Sequence, residues 1–299
     1  MKVYLAVPRG FCAGVVRAID IVQLALKKYG PPIYVKHQIV HNQFVVNSLD
    51  ELGAITVDNV SEVPIGSNVV FSAHGSPPED YEIARSRNLK VIDGTCPLVT
   101  KVHNEAHKYS KDGRKIILIG HKGHQEVIGT MGQEPMELFD DRETEELPNW
   151  NQEEPIAVLT QTTLSVDDTE KSIKSITDNF KNVVVKNDLC YATTNRQESV
   201  KMLAKKVDLI LVIGSSESSN CNRLRDVAID NGINSYLING PKDLDLNWVK
   251  GIEKIGITSG ASTPDLLVDE VINFLNPDEV VEVKITDENI SFVLPDEFK

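Results

Sequence analysis

The chain has 299 residues, of which 41% are hydrophobic and 25% charged, a composition typical of a soluble globular protein. Its formal net charge of −13 argues against a nucleic-acid partner, which would need a basic face. No apolar run approaches the roughly 20 residues of a membrane helix, and no signal-like segment precedes the first strand, so we expect a cytoplasmic protein. Four cysteines in that compartment favour metal or redox chemistry over disulfides.

Apolar runs and helical stripes alternate along the chain, which indicates parallel βαβ units and an α/β fold. After a first strand at residues 3–7, we expect a helix that Gly30 ends. The prolines and acids of residues 77–80 predict the start of a further helix. The other expected strands lie at 33–35, 69–71, 90–92, 116–119, 157–159, 183–185, 209–213 and 255–257. The other expected helices lie at 43–52, 98–110, 125–131, 195–206 and 222–231.

Three cysteines follow strands in the same way, because Cys12, Cys96 and Cys190 each come directly after an apolar run and a turn. They are 84 and 94 residues apart, which predicts a threefold repeat of about 90 residues. The predicted modules are residues 13–96, residues 97–189, and residues 1–12 with 190–275. Residues 276–299 are predicted to form an acidic C-terminal tail with one short strand candidate at 280–285.

Polar loops recur at similar distances from each cysteine. His41, His124 and Ser218 lie 28 or 29 residues after their cysteine, and His74, Thr162 and Gly260 lie 62 to 70 residues after it. Each loop follows a predicted strand. Because ligands of parallel α/β sheets bind beyond the carboxyl ends of the strands, these loops are candidates for one binding site.

Three thiolates are one ligand short of a closed zinc site or a fully ligated iron–sulfur cluster. A 4Fe–4S cluster held by three cysteines would keep one iron open. A structural zinc more often takes its cysteines from closely spaced pairs, which this chain lacks, and the plain alternative is three buried, inert cysteines. Cys221 lies off the repeat, so we expect a residue at the start of a helix with no ligand role.

The histidines and small polar residues of the loops suggest an anion site. His41, His74 and His124 are candidate donors, and Ser218, Ser219, Asn220 and Ser262 add neutral ones that can bind a diphosphate without lysine. Glu126 is the best candidate proton donor, although an acid at a helix start can also serve only the helix dipole. Thr162 is a candidate relay. We expect His103 and His107 to lie on a solvated helix face.

The chain resembles the 4-hydroxy-3-methylbut-2-enyl diphosphate reductase family, the last enzymes of the methylerythritol phosphate route to isoprenoids. The similarity extends over nearly the whole chain. It is carried by residues 8–14 (PRGFCAG), 41–42 (HN), 72–75 (SAHG), 93–97 (DGTCP), 120–126 (GHKGHQE), 161–168 (QTTLSVDD), 190–197 (CYATTNRQ), 218–220 (SSN) and 260–262 (GAS).

This resemblance implies a trefoil of three α/β modules around a 4Fe–4S cluster held by Cys12, Cys96 and Cys190. It implies that the open iron takes the hydroxyl oxygen of (E)-4-hydroxy-3-methylbut-2-enyl diphosphate, and that two electrons and two protons yield isopentenyl and dimethylallyl diphosphate. Glu126 would supply protons, with Thr162 and His124 also catalytic. The diphosphate and hydroxyl would be bound by His41, His74, His124, Thr162, Ser218, Ser219, Asn220 and Ser262.

An external electron donor such as ferredoxin or flavodoxin is implied as the partner. Two alternatives stay open: an iron–sulfur hydro-lyase, which needs no reductant, and a non-enzymatic iron–sulfur sensor. The acidic net charge of the chain argues against a DNA-binding sensor.

Overall fold

The computed structural model describes residues 1–140, 142–143 and 147–299. The chain divides into two compact units. Unit 1 consists of Met1–Val15, His41–Val45 and Cys190–Ser291, and unit 2 of Val16–Val40, Val46–Leu189 and Phe292–Lys299. None of the helices in the described ranges is both long and apolar enough to cross a membrane.

The first sheet of unit 2 has the strand order β3-β2-β4-β5, and all of its neighbouring strands are parallel. Its core holds Val69, Phe71 and Ala84, because alternate residues of β4 face the helix that follows. In chain order the elements to this point are β1 (Lys2–Val7), α1 (Ala13–Tyr29), β2 (Ile33–Lys36), α2 (Gln43–Asp50), β3 (Ala54–Val57), β4 (Asn68–Phe71), α3 (Pro78–Ser86) and β5 (Lys90–Asp93).

The second sheet of unit 2 has the order β7-β6-β8-β9, again parallel. Both of its faces are buried: Ile116 and Leu118 pack on one side, Ile117 and Ile119 on the other. Such strands read as continuous apolar runs, as this sequence does. The elements are α4 (Pro97–Lys111), β6 (Lys115–Ile119), α5 (Gln125–Met131), β7 (Glu137–Phe139), β8 (Pro155–Thr160), α6 (Val166–Asn179) and β9 (Asn182–Val185).

Unit 1 contains a five-stranded sheet of order β11-β10-β12-β1-β13, in which the first strand of the chain lies between β12 and the last strand. Leu209, Leu211 and Ile213 face one core cluster, and Ile210 and Val212 face the other. The elements are α7 (Tyr191–Ala204), β10 (Leu209–Ile213), α8 (Ser219–Asp230), β11 (Asn234–Ile238), α9 (Leu246–Val249), β12 (Lys254–Ser259), α10 (Asp265–Leu275) and β13 (Glu279–Lys284).

The strand order repeats in the three sheets. In each of the first two sheets the first and second strands along the chain are swapped in space, and the third and fourth follow in order. The third sheet repeats this order from β11 to β1, with β1 in the fourth place. The three series are β3-β2-β4-β5, β7-β6-β8-β9 and β11-β10-β12-β1, and each ends on the strand that precedes a cysteine. The prediction of an α/β fold built from parallel βαβ units is therefore confirmed, and the strands form three sheets.

Several elements differ from the sequence prediction. The short edge strands β3, β7 and β11 and the helices α6 and α10 are absent from it, and α7 and α8 begin earlier than predicted. Ser165 caps α6 by accepting a hydrogen bond from the Asp168 backbone N–H, a helix-start signal present in the sequence. The predicted tail contributes β13, which pairs with β1 from Lys2↔Glu279 to Val7↔Lys284.

Candidate active site

Three cysteines occupy matching places at strand exits. Cys12, Cys96 and Cys190 follow β1, β5 and β9, one strand in each sheet, and each directly precedes a helix. Cys96 and Cys190 are the N-cap residues of α4 and α7. A helix N-terminus stabilises negative charge, so this position suits an anionic group held near the thiols.

Hydrogen bonds fix the loops that carry these cysteines. The Sγ of Cys190 accepts from the Thr193 backbone N–H at 3.4 Å. The backbone N–H of Cys12 donates to the Ala261 carbonyl at 3.2 Å, and that of Cys96 donates to the Ala73 carbonyl at 3.0 Å. The thiols are therefore held at defined places within their own units.

All four cysteines lie in the described part of the chain, and none of them forms a disulfide. Cys12, Cys96 and Cys190 are half-buried, whereas Cys221 is fully buried. Within the same residues, no three histidine, cysteine, aspartate or glutamate side chains are gathered as the ligands of a single metal ion.

Glu126 and Thr162 form a buried pair in unit 2. Glu126 is the second residue of α5, which follows β6, and Thr162 follows β8. The Thr162 backbone N–H donates to Glu126 Oε1 at 2.6 Å, and its hydroxyl donates to Oε2 at 2.8 Å. Both carboxyl oxygens are thus held by one residue of the neighbouring strand exit.

Burial raises the pKa of Glu126 to about 7, although the two hydrogen bonds from Thr162 act in the opposite direction. The negative charge of Asp188 raises the pKa further. At neutral pH the side chain therefore exists in both protonation states, as a general acid requires.

Two histidines lie beside this pair. His124 is the N-cap of α5, and its Nδ1 accepts from the Glu126 backbone N–H at 3.2 Å. The His74 and His124 rings meet edge-on with centroids 6.0 Å apart, and Ser72 Oγ lies 3.3 Å from His74 Nδ1. Unit 2 thus brings together four predicted site residues: Glu126, Thr162, His124 and His74.

Unit 1 holds a second polar group, formed by the loops after β10 and β12. Ser218 is the N-cap of α8, and Asn220 Oδ1 accepts from the Ala261 backbone N–H at 3.2 Å. Ser262 Oγ donates to the His41 carbonyl at 3.2 Å. Ser219 is the first residue of α8, and Cys12 and Cys190 belong to the same unit.

Asn220 is a candidate anion-binding residue. The residue is only 5% exposed, and its Nδ2 makes no hydrogen bond within the described residues. A buried amide donor without a partner is costly, whereas a ligand oxygen would satisfy it. This observation fits a phosphate-binding role.

Cys221 is the third residue of α8, near the helix start as predicted. A Cβ built on Gly214 or Gly260 would lie 2.4 or 2.1 Å from its Sγ, so the sulfur fills the space that these two glycines leave open. Burial raises the pKa of the Cys221 thiol, which disfavours the thiolate.

One residue that we expected on a solvated helix face is half-buried. His103 packs under the turn after His74, where a Cβ on Gly75 would meet its Cε1 at 2.8 Å. Burial lowers the pKa of His103 to about 4, so the ring is neutral at physiological pH. The prediction of a solvated face is wrong for His103 and right for the exposed His107.

Two further residues near Glu126 and Thr162 were not predicted as individual site residues. Gln161 Oε1 accepts from the His121 backbone N–H at 3.0 Å, and its Nε2 donates to Thr163 Oγ1 at 3.0 Å. This side chain therefore ties the β6 exit to the β8 exit. The other is Asp188, which raises the pKa of Glu126 and lies two residues before Cys190. An acid at the exit of a predicted strand is a sequence feature that could have identified it.

These features define a class: a parallel α/β protein with a thiol at one strand exit of each sheet and a buried acid of raised pKa. The model of the LytB protein family matches residues 3–276, so the chain belongs to this family.

Named relatives agree with this assignment over the full length. The chain is 52% identical to 4-hydroxy-3-methylbut-2-enyl diphosphate reductase 1 of Rhodopseudomonas palustris, with 98% of both chains covered. It is 49% identical to the reductase of the same name from Haemophilus influenzae, covering 100% of this chain and 98% of the relative.

A solved structure is similar as well. The E-1-hydroxy-2-methyl-but-2-enyl-4-diphosphate reductase of Plasmodium falciparum superposes with a TM-score of 0.94 at 38% identity, covering 99% of this chain and 96% of that one. The family that the sequence motifs indicate is thereby confirmed.

Proposed function

We propose that this chain removes the hydroxyl group of (E)-4-hydroxy-3-methylbut-2-enyl diphosphate by reduction. Two electrons and two protons enter, the C–O bond breaks, water leaves, and isopentenyl or dimethylallyl diphosphate remains. The observation that carries the proposal is Glu126, a buried acid with a pKa of about 7 at a strand exit, in a chain of this family.

Cys12, Cys96 and Cys190 are assigned as the ligands of one 4Fe–4S cluster. Their placement supports this role, because each is half-buried, outside any disulfide and at the start of a helix. When bound, the cluster supplies single electrons and an iron with an open position for Lewis-acid chemistry.

The polar loops bind the substrate's diphosphate. Asn220 Nδ2, a buried donor that lacks a partner among the described residues, supports this role. Ser218 and Ser219, the two residues before it, offer hydroxyl groups, and Ser262 offers a third from the loop after β12. His41, His74 and His124 add donors that bear positive charge when protonated. Binding through local donors suits a chain whose net charge of −13 repels anions at long range.

Glu126 supplies the proton that turns the leaving hydroxyl into water. In its protonated form the carboxyl can donate through the hydroxyl of Thr162, which lies 2.8 Å from Oε2. The Thr162 backbone N–H then stabilises the carboxylate that remains. Thr162 also orients the substrate hydroxyl, and His124 fixes the start of the helix that carries Glu126.

An external one-electron carrier such as ferredoxin or flavodoxin supplies the two electrons in succession. We also retain the module boundaries 13–96, 97–189 and 1–12 with 190–275 as a proposal, which the repeated strand order supports.

An anaerobic assay tests the function. Iron-loaded protein is incubated with the hydroxy-diphosphate in the presence and absence of a chemical reductant, and the products are separated by chromatography. We expect both five-carbon diphosphates only when the reductant is present. Conversion without reductant would show a hydro-lyase, and an iron-loaded protein that converts nothing in either arm would overturn the proposal.

A further inference from the structure

Arg196 is a fully buried cation in unit 1. It lies on α7, six residues after Cys190, and has a relative exposure of 0%. Its Nη1 contacts both carboxylate oxygens of Glu288, at 3.0 and 3.2 Å. Glu288 follows β13 in the segment predicted as a tail, and it also accepts from Asn195 Nδ2 at 3.0 Å.

The same guanidinium reaches the backbone beside two cysteines. Its Nη2 donates to the Gly10 carbonyl at 2.7 Å, and its Nη1 donates to the Ala192 carbonyl at 3.1 Å. Gly10 stands two residues before Cys12, and Ala192 stands two residues after Cys190. One side chain therefore bonds to both cysteine-bearing segments of this unit.

Other bonds hold the Cys12 loop against the same elements. The Gly10 backbone N–H donates to Ser259 Oγ at 2.9 Å, and the Ala13 backbone N–H donates to Tyr191 Oη at 3.0 Å. Among these bonds, only those of Arg196 depend on a buried charge.

We propose that Arg196 and Glu288 are positioning residues that hold Cys12 and Cys190 in place as ligands. The proposal rests on the proposed function for the identity of the metal group. The hydrogen bonds that position the two cysteine-bearing segments do not depend on that identity. The C-terminal segment thus serves the candidate site through Glu288.

Charge balance explains why the position of the Arg196 guanidinium depends on Glu288. A buried guanidinium must be paired, and Arg196 Nε finds no acceptor among the described residues, so Glu288 is its main compensation. Neutralising Glu288 favours movement of the guanidinium towards water. That movement would remove the Gly10 bond and loosen the loop before Cys12.

The test compares Glu288→Gln with Asp287→Asn in metal-free protein. Asp287 is the adjacent acid, but it pairs with Lys284 at the surface, so it controls for the loss of one charge. Each cysteine's rate of alkylation by iodoacetamide is measured by peptide mass spectrometry. Cys96, in the other unit, serves as an internal reference, and the buried Cys221 reports unfolding.

We expect Glu288→Gln to change the rates at Cys12 and Cys190 by roughly tenfold relative to Cys96, the scale of one lost charge-assisted hydrogen bond. Asp287→Asn should leave all rates as in wild type, and Glu288→Asp should restore them in part. Unchanged relative rates in Glu288→Gln would overturn the proposal.

If Glu288→Gln also makes Cys221 reactive, the protein has unfolded, and Asn195→Ala takes its place as a milder variant that removes one bond to Glu288. Selective change at Cys12 and Cys190 in Asn195→Ala supports the proposal, and its absence overturns it. Iron loading of the wild-type chain separates the two proposals. A wild-type chain that binds no iron–sulfur cluster contradicts the proposed function, but it leaves the alkylation test of Arg196 and Glu288 unaffected.

Discussion

At the scale of single residues, Glu126 shows two opposing effects of known sign. Its hydrogen bonds from Thr162 stabilise the carboxylate, and its burial destabilises it. Burial is the larger effect, so the pKa rises to about 7. The side chain is therefore poised to give up a proton at neutral pH while both of its oxygens stay fixed.

Glu126→Gln should abolish most turnover and leave the fold and iron content intact. The amide can still accept from the Thr162 N–H and can donate to its hydroxyl, but it has no proton to give. We expect kcat to fall on the order of 10²–10⁴-fold, the usual contribution of a general acid. Steady-state assays of iron-matched samples measure this, with Glu137→Gln on the exposed side of β7 as the control. Near wild-type turnover in Glu126→Gln would assign the proton to another group.

The raised pKa of Glu126 also makes stability depend on pH. The folded protein keeps a proton on this group between about pH 4.5, its ordinary pKa, and about pH 7, whereas the unfolded chain releases it. The free energy of unfolding should therefore fall as pH rises through this window, by on the order of 3 kcal/mol. Urea titrations at pH 5 and pH 8 should show Glu126→Gln to be more stable than wild type at pH 8 only. Equal pH dependence in the two proteins would contradict the raised pKa.

Asn220→Asp tests the diphosphate site. The aspartate keeps an oxygen for the Ala261 N–H but places negative charge where Nδ2 now stands. Substrate affinity should fall by at least about 1.5–3 kcal/mol, the cost of one charge-assisted hydrogen bond. Calorimetric titration gives the Kd, and Asn231→Asp at the other end of α8 controls for the added charge. Equal affinity of Asn220→Asp and wild type would remove Asn220 from the pocket.

At the scale of elements, the strand exits explain why so much of the candidate site could be predicted. Buried parallel strands are continuous apolar runs, and the polar residues that follow them stand out in the sequence. Cys96, His124 and Thr162 were found in this way. The short edge strands, with only three to five residues each, gave no comparable run.

Contacts between residues that are far apart in the chain could not be predicted from the sequence. The partner of Arg196 is 92 residues away, and the place of Glu288 depends on β13 pairing with β1. The acidic segment 276–299, with its one strand candidate, is therefore predicted as a tail, because the local sequence does not show which strand it pairs with. His103 was misjudged for the same reason: the turn that covers it comes from another element.

Val283→Asp tests whether β13 is part of the sheet that carries Cys12. Val283 is 8% exposed and packs in the same cluster as Ala6 of β1, so a carboxylate there should cost about 3 kcal/mol or more of unfolding free energy. Val280→Asp on the same strand should cost little, since Val280 is 44% exposed. Urea unfolding followed by circular dichroism compares them. Equal effects of the two substitutions would contradict this register.

At the scale of the whole molecule, the repeat connects fold and chemistry. Three sheets share one order of four strands, and the fourth strand of each order leads into one cysteine. Cys221 has no counterpart in this pattern and is buried as an apolar residue would be. The repeat, visible in the spacing of the cysteines, therefore separates three candidate ligands from the fourth thiol.

Iron and acid-labile sulfide content of four single variants is the most direct test of the central claim. Cys12→Ser, Cys96→Ser, Cys190→Ser and Cys221→Ser are prepared and reconstituted anaerobically beside wild type, with circular dichroism to confirm folding. The account predicts that the first three lose most of the iron and sulfide and that Cys221→Ser keeps the wild-type content. A folded Cys96→Ser that retains the cluster, or a folded Cys221→Ser that loses it, would contradict the account.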